Sequence, residues 1–279
     1  MTCREWVAWG AAVLQKAGVP DAEWDAFSLW EAASGMDRGR YLLMAQEEPE
    51  PCFVSVYKEM LAKREKRIPL QHILGRTEFM GLSFRVSPDV LIPRMDTEIL
   101  AERVLKDYPN GRGLRLLDMC TGSGCLAVSL SVLGHFQVAA SDLSAAALAV
   151  AKQNASDHGC DIAFYEGDLF QALPEQKFDL IVSNPPYIPG GEMDDLMPEV
   201  RDFDPRMALD GGADGLYFYR RLAEEGKSYL VSGGKIYWEI GWNQAEAVRG
   251  ILEEQGYRCL EVIPDLAGKD RVVTGEWTC

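Results

Sequence analysis

The stretch LRLLDMCTGSG, residues 114–124, decides the fold class of this chain. It begins with an apolar run of strand length at 114–119 and continues into a turn that carries Gly122 and Gly124. Apolar residues at helical spacing follow over 123–132. A strand, a glycine turn and a helix in this order predict an α/β sheet with parallel strands, and such sheets bind ligands at their carboxyl edge.

The alternation of strand and helix continues to the end of the chain. The run FDLIVS at 178–183 is predominantly apolar, which is typical of a strand buried on both faces. Its end at Asn184 lies at the same predicted sheet edge as the glycine turn. The predicted strands are 114–119, 136–141, 162–166, 178–183, 235–240, 257–262 and 271–274, and the later helices are 144–158, capped by Ser144, 217–231 and 244–255.

Residues 1–68 carry helix signals and few strand signals. Apolar residues recur at helical spacing in three stretches, and Asp21 is placed to cap the second of them. Glycines, prolines and short β-rich runs follow over 69–94. We therefore predict a helical domain at 1–68, a hairpin-containing linker at 69–94 and an α/β domain at 95–279.

Composition excludes several classes of protein. The 279 residues include 28 Lys and Arg against 43 Asp and Glu, a net charge of −15 that disfavours nucleic acid as a partner. Seven cysteines without a CxxC pair and three histidines without metal-ligand spacing predict no metal site. The chain opens without a signal-peptide pattern and has no run of 18 apolar residues, so we expect a cytoplasmic protein without a membrane segment.

The glycine turn and Asp142 predict a nucleotide-like cofactor. Gly122 and Gly124 let the backbone approach a ligand, and Asp142 ends the second strand 20 residues after Gly122, where a carboxylate can accept hydrogen bonds from ribose hydroxyls. With Ala127 the turn also fits G-x-G-x-x-A, so a dinucleotide remains open, and with it a nicotinamide-dependent oxidoreductase.

The motif Asn184-Pro185-Pro186-Tyr187 predicts capture of a planar NH2 group. The two prolines bring no backbone N–H and stiffen the chain, so the carbonyls of Asn184 and Pro185 stay free. The Asn184 side-chain oxygen and the Pro185 carbonyl can accept both N–H groups of a primary amide or exocyclic amine, while Tyr187 packs against its plane.

On these residues the chain resembles class I methyltransferases that use S-adenosylmethionine and act on planar nitrogen. Within them it resembles the release factor glutamine methyltransferases, the PrmC or HemK family. The resemblance covers essentially the whole chain and rests on PLQHILG at 69–75, LIPRMDTE at 91–98, the turn at 120–124 and NPPYI at 184–188. It implies a Rossmann-like sheet of seven strands with the last strand antiparallel, preceded by a small helical domain that recognises the substrate.

The resemblance also implies roles for individual residues. The turn would line the methionine part of the cofactor, Asp142 would hold the ribose, and Asp168 and Leu169 would flank the adenine. Leu169 stands where an aromatic residue is frequent, and Cys120 where glycine is usual. The implied cofactor site comprises Cys120, Thr121, Gly122, Ser123, Gly124, Asp142, Asp168, Leu169 and Asn184. The implied catalytic residues are Asn184, Pro185 and Tyr187, and Pro186 joins them in binding the substrate.

The implied reaction is methylation of the side-chain amide nitrogen (N5) of the glutamine in the Gly-Gly-Gln motif of peptide chain release factors. It needs neither a metal nor a covalent intermediate. We expect a monomer whose partner is a release factor, with no direct contact to nucleic acid and no membrane. A ribosomal-protein glutamine methyltransferase, a nucleic-acid amino-group methyltransferase and a non-catalytic binding module remain alternatives.

Two charged features are open to more than one interpretation. Arg94, Asp96 and Glu98 would close over the cofactor or bind the partner, or else form ion pairs between domains. The segment 189–215 holds eight acidic residues and is expected to be a solvated loop. Alternatively, it forms an acidic rim for a basic protein surface.

Overall fold

The computed structural model describes residues 1–278, and their contacts divide into two units. The helical unit comprises Met1–Arg76 together with Met197–Phe203, and the α/β unit comprises Thr77–Leu196 and the chain from Asp204 onward. The sequence placed the boundaries at residues 68 and 94. No local pattern indicates that a segment near residue 200 packs with helices near the N-terminus.

The helical unit is built around a core that includes Leu14, Trp30, Tyr57 and Leu61. Its first helix starts with a capping box, in which Thr2 and Glu5 satisfy each other's backbone N–H groups. Asp21 precedes the second helix but makes no side-chain hydrogen bond to it, so the predicted cap is wrong. The helices are α1 (Cys3–Lys16), α2 (Ala22–Ser34), α3 (Arg38–Met44), α4 (Pro51–Glu65) and α5 (Leu70–Leu74).

A hairpin and a helix lead into the α/β unit. The strands β1 (Arg76–Phe79) and β2 (Leu82–Arg85) form the hairpin that the sequence predicted in the linker. Helix α6 (Met95–Asp107) follows and buries Leu100 and Val104. No helix was predicted at the position of α6, although this helix reaches the site described below.

The α/β unit contains a sheet of seven strands among the described residues, in the order β5-β4-β3-β6-β7-β9-β8. Strand β9 runs antiparallel to both of its neighbours, and the other described pairs are parallel, so the predicted fold class is confirmed. The strands are β3 (Arg115–Met119), β4 (Gln137–Asp142), β5 (Ala163–Glu166), β6 (Phe178–Ser183), β7 (Leu230–Glu239), β8 (Arg258–Pro264) and β9 (Asp270–Trp277).

Helices cover both faces of this sheet. Helices α6, α7 and α8 contribute to one apolar core, and α10 and α11 contribute to the other. As predicted, Ser144 caps α8 by accepting a hydrogen bond from the Ala147 N–H at 3.1 Å. The remaining helices are α7 (Cys125–Gly134), α8 (Ala145–Asp157), α9 (Pro198–Arg201), α10 (Tyr217–Gly226) and α11 (Ala245–Glu254).

The prediction of one helix over 217–231 is wrong at its end. Helix α10 stops at Gly226, a 3-10 turn covers Lys227–Tyr229, and β7 begins at Leu230. Leu230 pairs with Phe178 of β6, so hydrogen bonding within the sheet overrides the local helical pattern.

Candidate active site

The ends of β3, β4 and β6 are level with one another. Met119 pairs with Ser141 on one side and with Ser183 on the other, so the chain leaves three adjacent strands at the same edge. The strand order reverses at β3, which is the point where open α/β sheets bind ligands. The glycine turn, Asp142 and Asn184 therefore meet at one place, as the sequence predicted.

A cavity of about 330 Å³ opens at this edge, which is within the usual size range of small-molecule sites. Gly124, Pro185 and Tyr187 do not belong to its wall. The predicted site residues that line it are Cys120, Thr121, Gly122, Ser123, Asp142, Asp168, Leu169, Asn184 and Pro186.

The backbone of the turn is left-handed at three positions. Cys120 has φ +60°, Gly122 +55° and Gly124 +78°. A side chain in this region costs about 1–2 kcal/mol, which explains why glycine is the usual residue at the position of Cys120. At Gly124 an added Cβ would also lie 3.0 Å from the Cβ of Ala151.

Two buried polar side chains, Asp118 and Asn154, stabilise this turn by hydrogen bonds. One oxygen of Asp118 accepts hydrogen bonds from the Thr121 hydroxyl at 2.6 Å and from the Ala127 N–H at 3.1 Å. Burial raises the pKa of Asp118 to about 7 despite these bonds. Asn154 of α8 donates to the Ser123 carbonyl at 2.8 Å and pairs with the backbone of Arg85 in β2. No motif or spacing in the sequence indicates this role of Asn154.

The carboxylate of Asp142 is held in a fixed position on the cavity wall. One oxygen accepts from the Gly122 N–H at 2.8 Å, and the other accepts from the Ser144 N–H at 2.9 Å. Burial raises its pKa more than these bonds lower it. A carboxylate oxygen has two lone pairs, so each retains acceptor capacity toward the cavity. The predicted contact with a ribose stays a prediction.

Asp142→Asn should weaken binding of S-adenosylmethionine, if Asp142 accepts hydrogen bonds from a ribose as predicted. Loss of the charged acceptor should raise the dissociation constant about tenfold or more, since hydrogen bonds to charged groups contribute roughly 1.5–3 kcal/mol. Titration calorimetry measures the change. Asp161→Asn, at an exposed position, is the matched control. Equal affinities for the two variants would contradict the assignment.

Asp168 is held by an arginine that the sequence analysis did not assign to the site. One guanidinium nitrogen of Arg221 donates to both carboxylate oxygens of Asp168, at 2.7 and 2.8 Å. Leu169, the next residue, is buried and has a left-handed φ of +50°. Arg221 lies on α10, 53 residues further along the chain, so no local spacing indicates the pair.

The Asn184 motif connects to three residues that sequence reasoning missed. The Asn184 amide nitrogen donates to the Thr97 hydroxyl at 3.1 Å, and that hydroxyl donates to Glu239 at 2.6 Å. The Tyr187 hydroxyl donates to the other oxygen of Glu239 at 3.3 Å, and the Tyr187 carbonyl accepts from Gln244 at 2.9 Å. The one local signal for a functional role of Glu239 is its position as an acidic residue within the predicted strand at 235–240.

Arg94, Asp96 and Glu98, for which the sequence allowed more than one role, all contact partners within the α/β unit. Arg94, on the cavity wall, pairs with Asp204 at 2.5 Å, and Arg271 pairs with Asp96 at 3.2 Å. These partners belong to the α/β unit, so the proposed ion pairs between domains are wrong for Arg94 and Asp96. Glu98 accepts a hydrogen bond from the backbone of Met80, also in this unit.

The acidic segment 189–215 is not uniformly solvated. The carboxylate of Asp204 is completely buried, and that of Glu199 is 14% exposed. Glu199 is paired with Arg64 and Arg67 within the helical unit.

Residues 1–278 offer neither a cluster of metal ligands nor a membrane-spanning helix. These residues contain no group of three or more His, Cys, Asp or Glu side chains placed to hold a metal ion. No described helix combines the length and the apolar character that crossing a membrane requires.

Comparison with known proteins identifies the family. Residues 5–75 match the family described as PrmC N-terminal domain, and residues 94–199 match the methyltransferase small domain. A release factor glutamine methyltransferase of Geobacter sulfurreducens is 43% identical over 275 residues, which are 98% of this chain and 96% of the relative. This chain belongs to the release factor glutamine methyltransferase family.

A second relative supports this assignment, and a solved structure shares the fold. The release factor glutamine methyltransferase of Caulobacter vibrioides is 38% identical, covering 96% of this chain and 94% of the relative. A methyltransferase from Pyrococcus furiosus has the same fold, with a TM-score of 0.55 at 19% identity over 72% of this chain and 91% of that one. Membership in the release factor glutamine methyltransferase family confirms the predicted enzyme class and S-adenosylmethionine as the cofactor.

Proposed function

We propose that this protein transfers a methyl group from S-adenosylmethionine to the side-chain amide nitrogen (N5) of the glutamine in the Gly-Gly-Gln motif of peptide chain release factors. Membership in the family supports this substrate. The observation that carries the proposal is the position of Asn184 and Pro186 on the wall of the cavity that the glycine turn and Asp142 also line. A planar NH2 group and a nucleotide-like cofactor would therefore meet in one compartment.

The cavity fits a cofactor with a ribose and an apolar portion. Its wall combines the fixed carboxylate of Asp142 with the open backbone of Gly122, where an added Cβ would meet nothing within 4 Å. When bound, S-adenosylmethionine supplies an electrophilic methyl group attached to a positively charged sulfur. The turn residues and Asp142 would hold it, and Asp168 and Leu169 would flank its base.

The protein contributes positioning and electrostatic stabilisation. An amide nitrogen is a weak nucleophile because its lone pair is delocalised, so its alignment with the methyl group dominates the rate. The Asn184 oxygen and the Pro185 carbonyl would accept the two N–H groups and stabilise positive charge that develops on nitrogen. The C–N bond would form as the C–S bond breaks, and one amide proton would pass to solvent.

Two thiols on the cavity wall remain protonated. Cys120 and Cys125 both line the cavity, and a thiolate there would compete with the substrate for the methyl group. Burial raises the pKa of Cys120 and raises the pKa of Cys125 to about 12. Both side chains therefore remain neutral thiols at physiological pH.

The test is transfer of labelled methyl to a purified release factor, located by peptide mass spectrometry. We expect one methyl group on the Gly-Gly-Gln glutamine and none on a release factor in which that glutamine is replaced by alanine. Label on a ribosomal protein or on nucleic acid instead would establish one of the alternative substrates. Absence of transfer to every one of these acceptors would overturn the proposal. The monomeric state, the cytoplasmic location and the lack of nucleic-acid contact stay predictions.

A further inference from the structure

Two buried residues, one of which also lines the cavity, contact the Asn184 motif without being part of it. Glu239 ends β7 and is 1% exposed, and Thr97 lies in the first turn of α6 and is 2% exposed. Thr97 bridges the Asn184 amide to one oxygen of Glu239, and the Tyr187 hydroxyl binds the other oxygen. One buried carboxylate thus holds both ends of the motif.

The hydrogen atoms in this chain of contacts determine how Asn184 is oriented. An ionised carboxylate only accepts hydrogen bonds, so the single hydroxyl hydrogen of Thr97 points to Glu239. The Thr97 oxygen can then only accept on its other side, and the group facing it must be the Asn184 NH2. Because the side-chain amide is planar, its oxygen points away from Thr97.

Building on the function proposed above, we propose that Thr97 and Glu239 are positioning residues that lock the Asn184 amide with its oxygen available to the substrate. In the opposite orientation Asn184 would present NH2 to the NH2 of the substrate, and two donors cannot bond. The hydroxyl of Thr97 selects the orientation, and the charge of Glu239 fixes the direction in which that hydroxyl donates.

This arrangement predicts a dependence on pH. Burial raises the pKa of Glu239 to about 7, although the Thr97 hydrogen bond and Arg271 oppose the shift. The titratable or charged groups around it are Asp96 of α6, Cys125 of α7, Tyr187 after β6, Tyr219 of α10 and Arg271 of β9. Once protonated, Glu239 can itself donate a hydrogen bond to the Thr97 oxygen. The hydroxyl hydrogen of Thr97 is then free to point to Asn184, and the Asn184 side-chain amide can rotate into the opposite orientation. Turnover should therefore rise as the pH increases through about 7.

Thr97→Val removes the hydroxyl and keeps the side-chain shape. We expect kcat to fall about 10- to 100-fold, since a small misplacement of a reacting group costs up to that much, while the affinity for S-adenosylmethionine is unchanged. Thr97→Ser restores the hydroxyl and should restore kcat. Ser129→Ala removes a fully buried hydroxyl of α7 and serves as the control for a structural effect. Wild-type kcat in Thr97→Val would overturn the proposal.

Glu239→Gln tests the role of the charge. The side chain remains nearly isosteric but no longer titrates, so the rise in kcat near pH 7 should disappear. A pH profile that keeps this step in Glu239→Gln would show that another group causes it, and the role of Glu239 would be rejected.

A measurement without substrate separates this proposal from the function on which it rests. The side-chain NH2 signals of Asn184 in a 15N-labelled sample can be assigned by their loss in Asn184→Ala. In the wild-type protein they should shift with an apparent pKa near 7, and the shift should vanish in Glu239→Gln and in Thr97→Val. Signals that do not titrate would overturn the positioning pair even if the release factor is methylated. Titrating signals without methylation would overturn only the substrate.

Discussion

Asn184→Ala should lower methyl transfer far more than it lowers the affinity for S-adenosylmethionine. Removing one preorganised group that stabilises developing charge typically costs about 100- to 1000-fold in kcat. Asn184 supplies such a group, because its amide nitrogen is bound to Thr97 and its oxygen remains for the substrate. Single-turnover transfer to the release factor measures the chemical step, and calorimetry measures cofactor binding.

The control for Asn184→Ala is an asparagine outside the cavity. Asn110→Ala alters an exposed residue that does not line the site, and it should leave both measurements unchanged. If Asn184→Ala weakened cofactor binding and kcat by the same factor, Asn184 would act in holding the cofactor and the acceptor role would be wrong. If neither changed, Asn184 would have no part in the reaction.

Most of the fold follows from long and regular local patterns, although the 13-residue helix α6 was not predicted. The apolar run at 178–183 predicts β6 to the residue, and the run at 114–119 overlaps all of β3. Helices α3 and α5 were missed because seven and five residues are too short to show a helical period. The start of β7 at Leu230 was missed because pairing with Phe178 determines it.

The residues of the site are likewise of two kinds: those in continuous motifs and those brought together only by the fold. The glycine turn and the Asn184 motif are continuous in sequence, and their residue types indicate the chemistry directly. Thr97 lies 87 residues from Asn184 and 142 from Glu239, and only the neighbouring positions of β6, β7 and α6 bring them together. The residues expected to bind ligands could therefore be named from the sequence, whereas the residues that contact them from distant parts of the chain required the structure.

The largest expected effect on stability concerns Arg64 in the helical unit. Arg64 is 5% exposed, and its guanidinium pairs with the buried Asp25 at 2.6 Å and with Glu199 at 2.9 Å. Burial alone would raise the pKa of Glu199, but hydrogen bonds from Arg67 and Arg64 outweigh it and hold this pKa below its usual value. Burial keeps the pKa of Asp25 raised even beside Arg64. Arg64 therefore compensates two carboxylates that are largely removed from water.

Arg64→Met should lower the free energy of unfolding by about 3–5 kcal/mol, because removing one partner leaves buried charge without compensation. Chemical denaturation measures the loss, and hydrogen exchange of α2 and α4 locates it in the helical unit. The double change Asp25→Ala with Arg64→Met should recover part of the loss, since one uncompensated carboxylate is then absent. Arg249→Ala, which breaks an exposed ion pair at 3.6 Å, should cost at most about 0.5 kcal/mol. If Arg64→Met cost no more than this control, the buried ion pairs would not stabilise the helical unit.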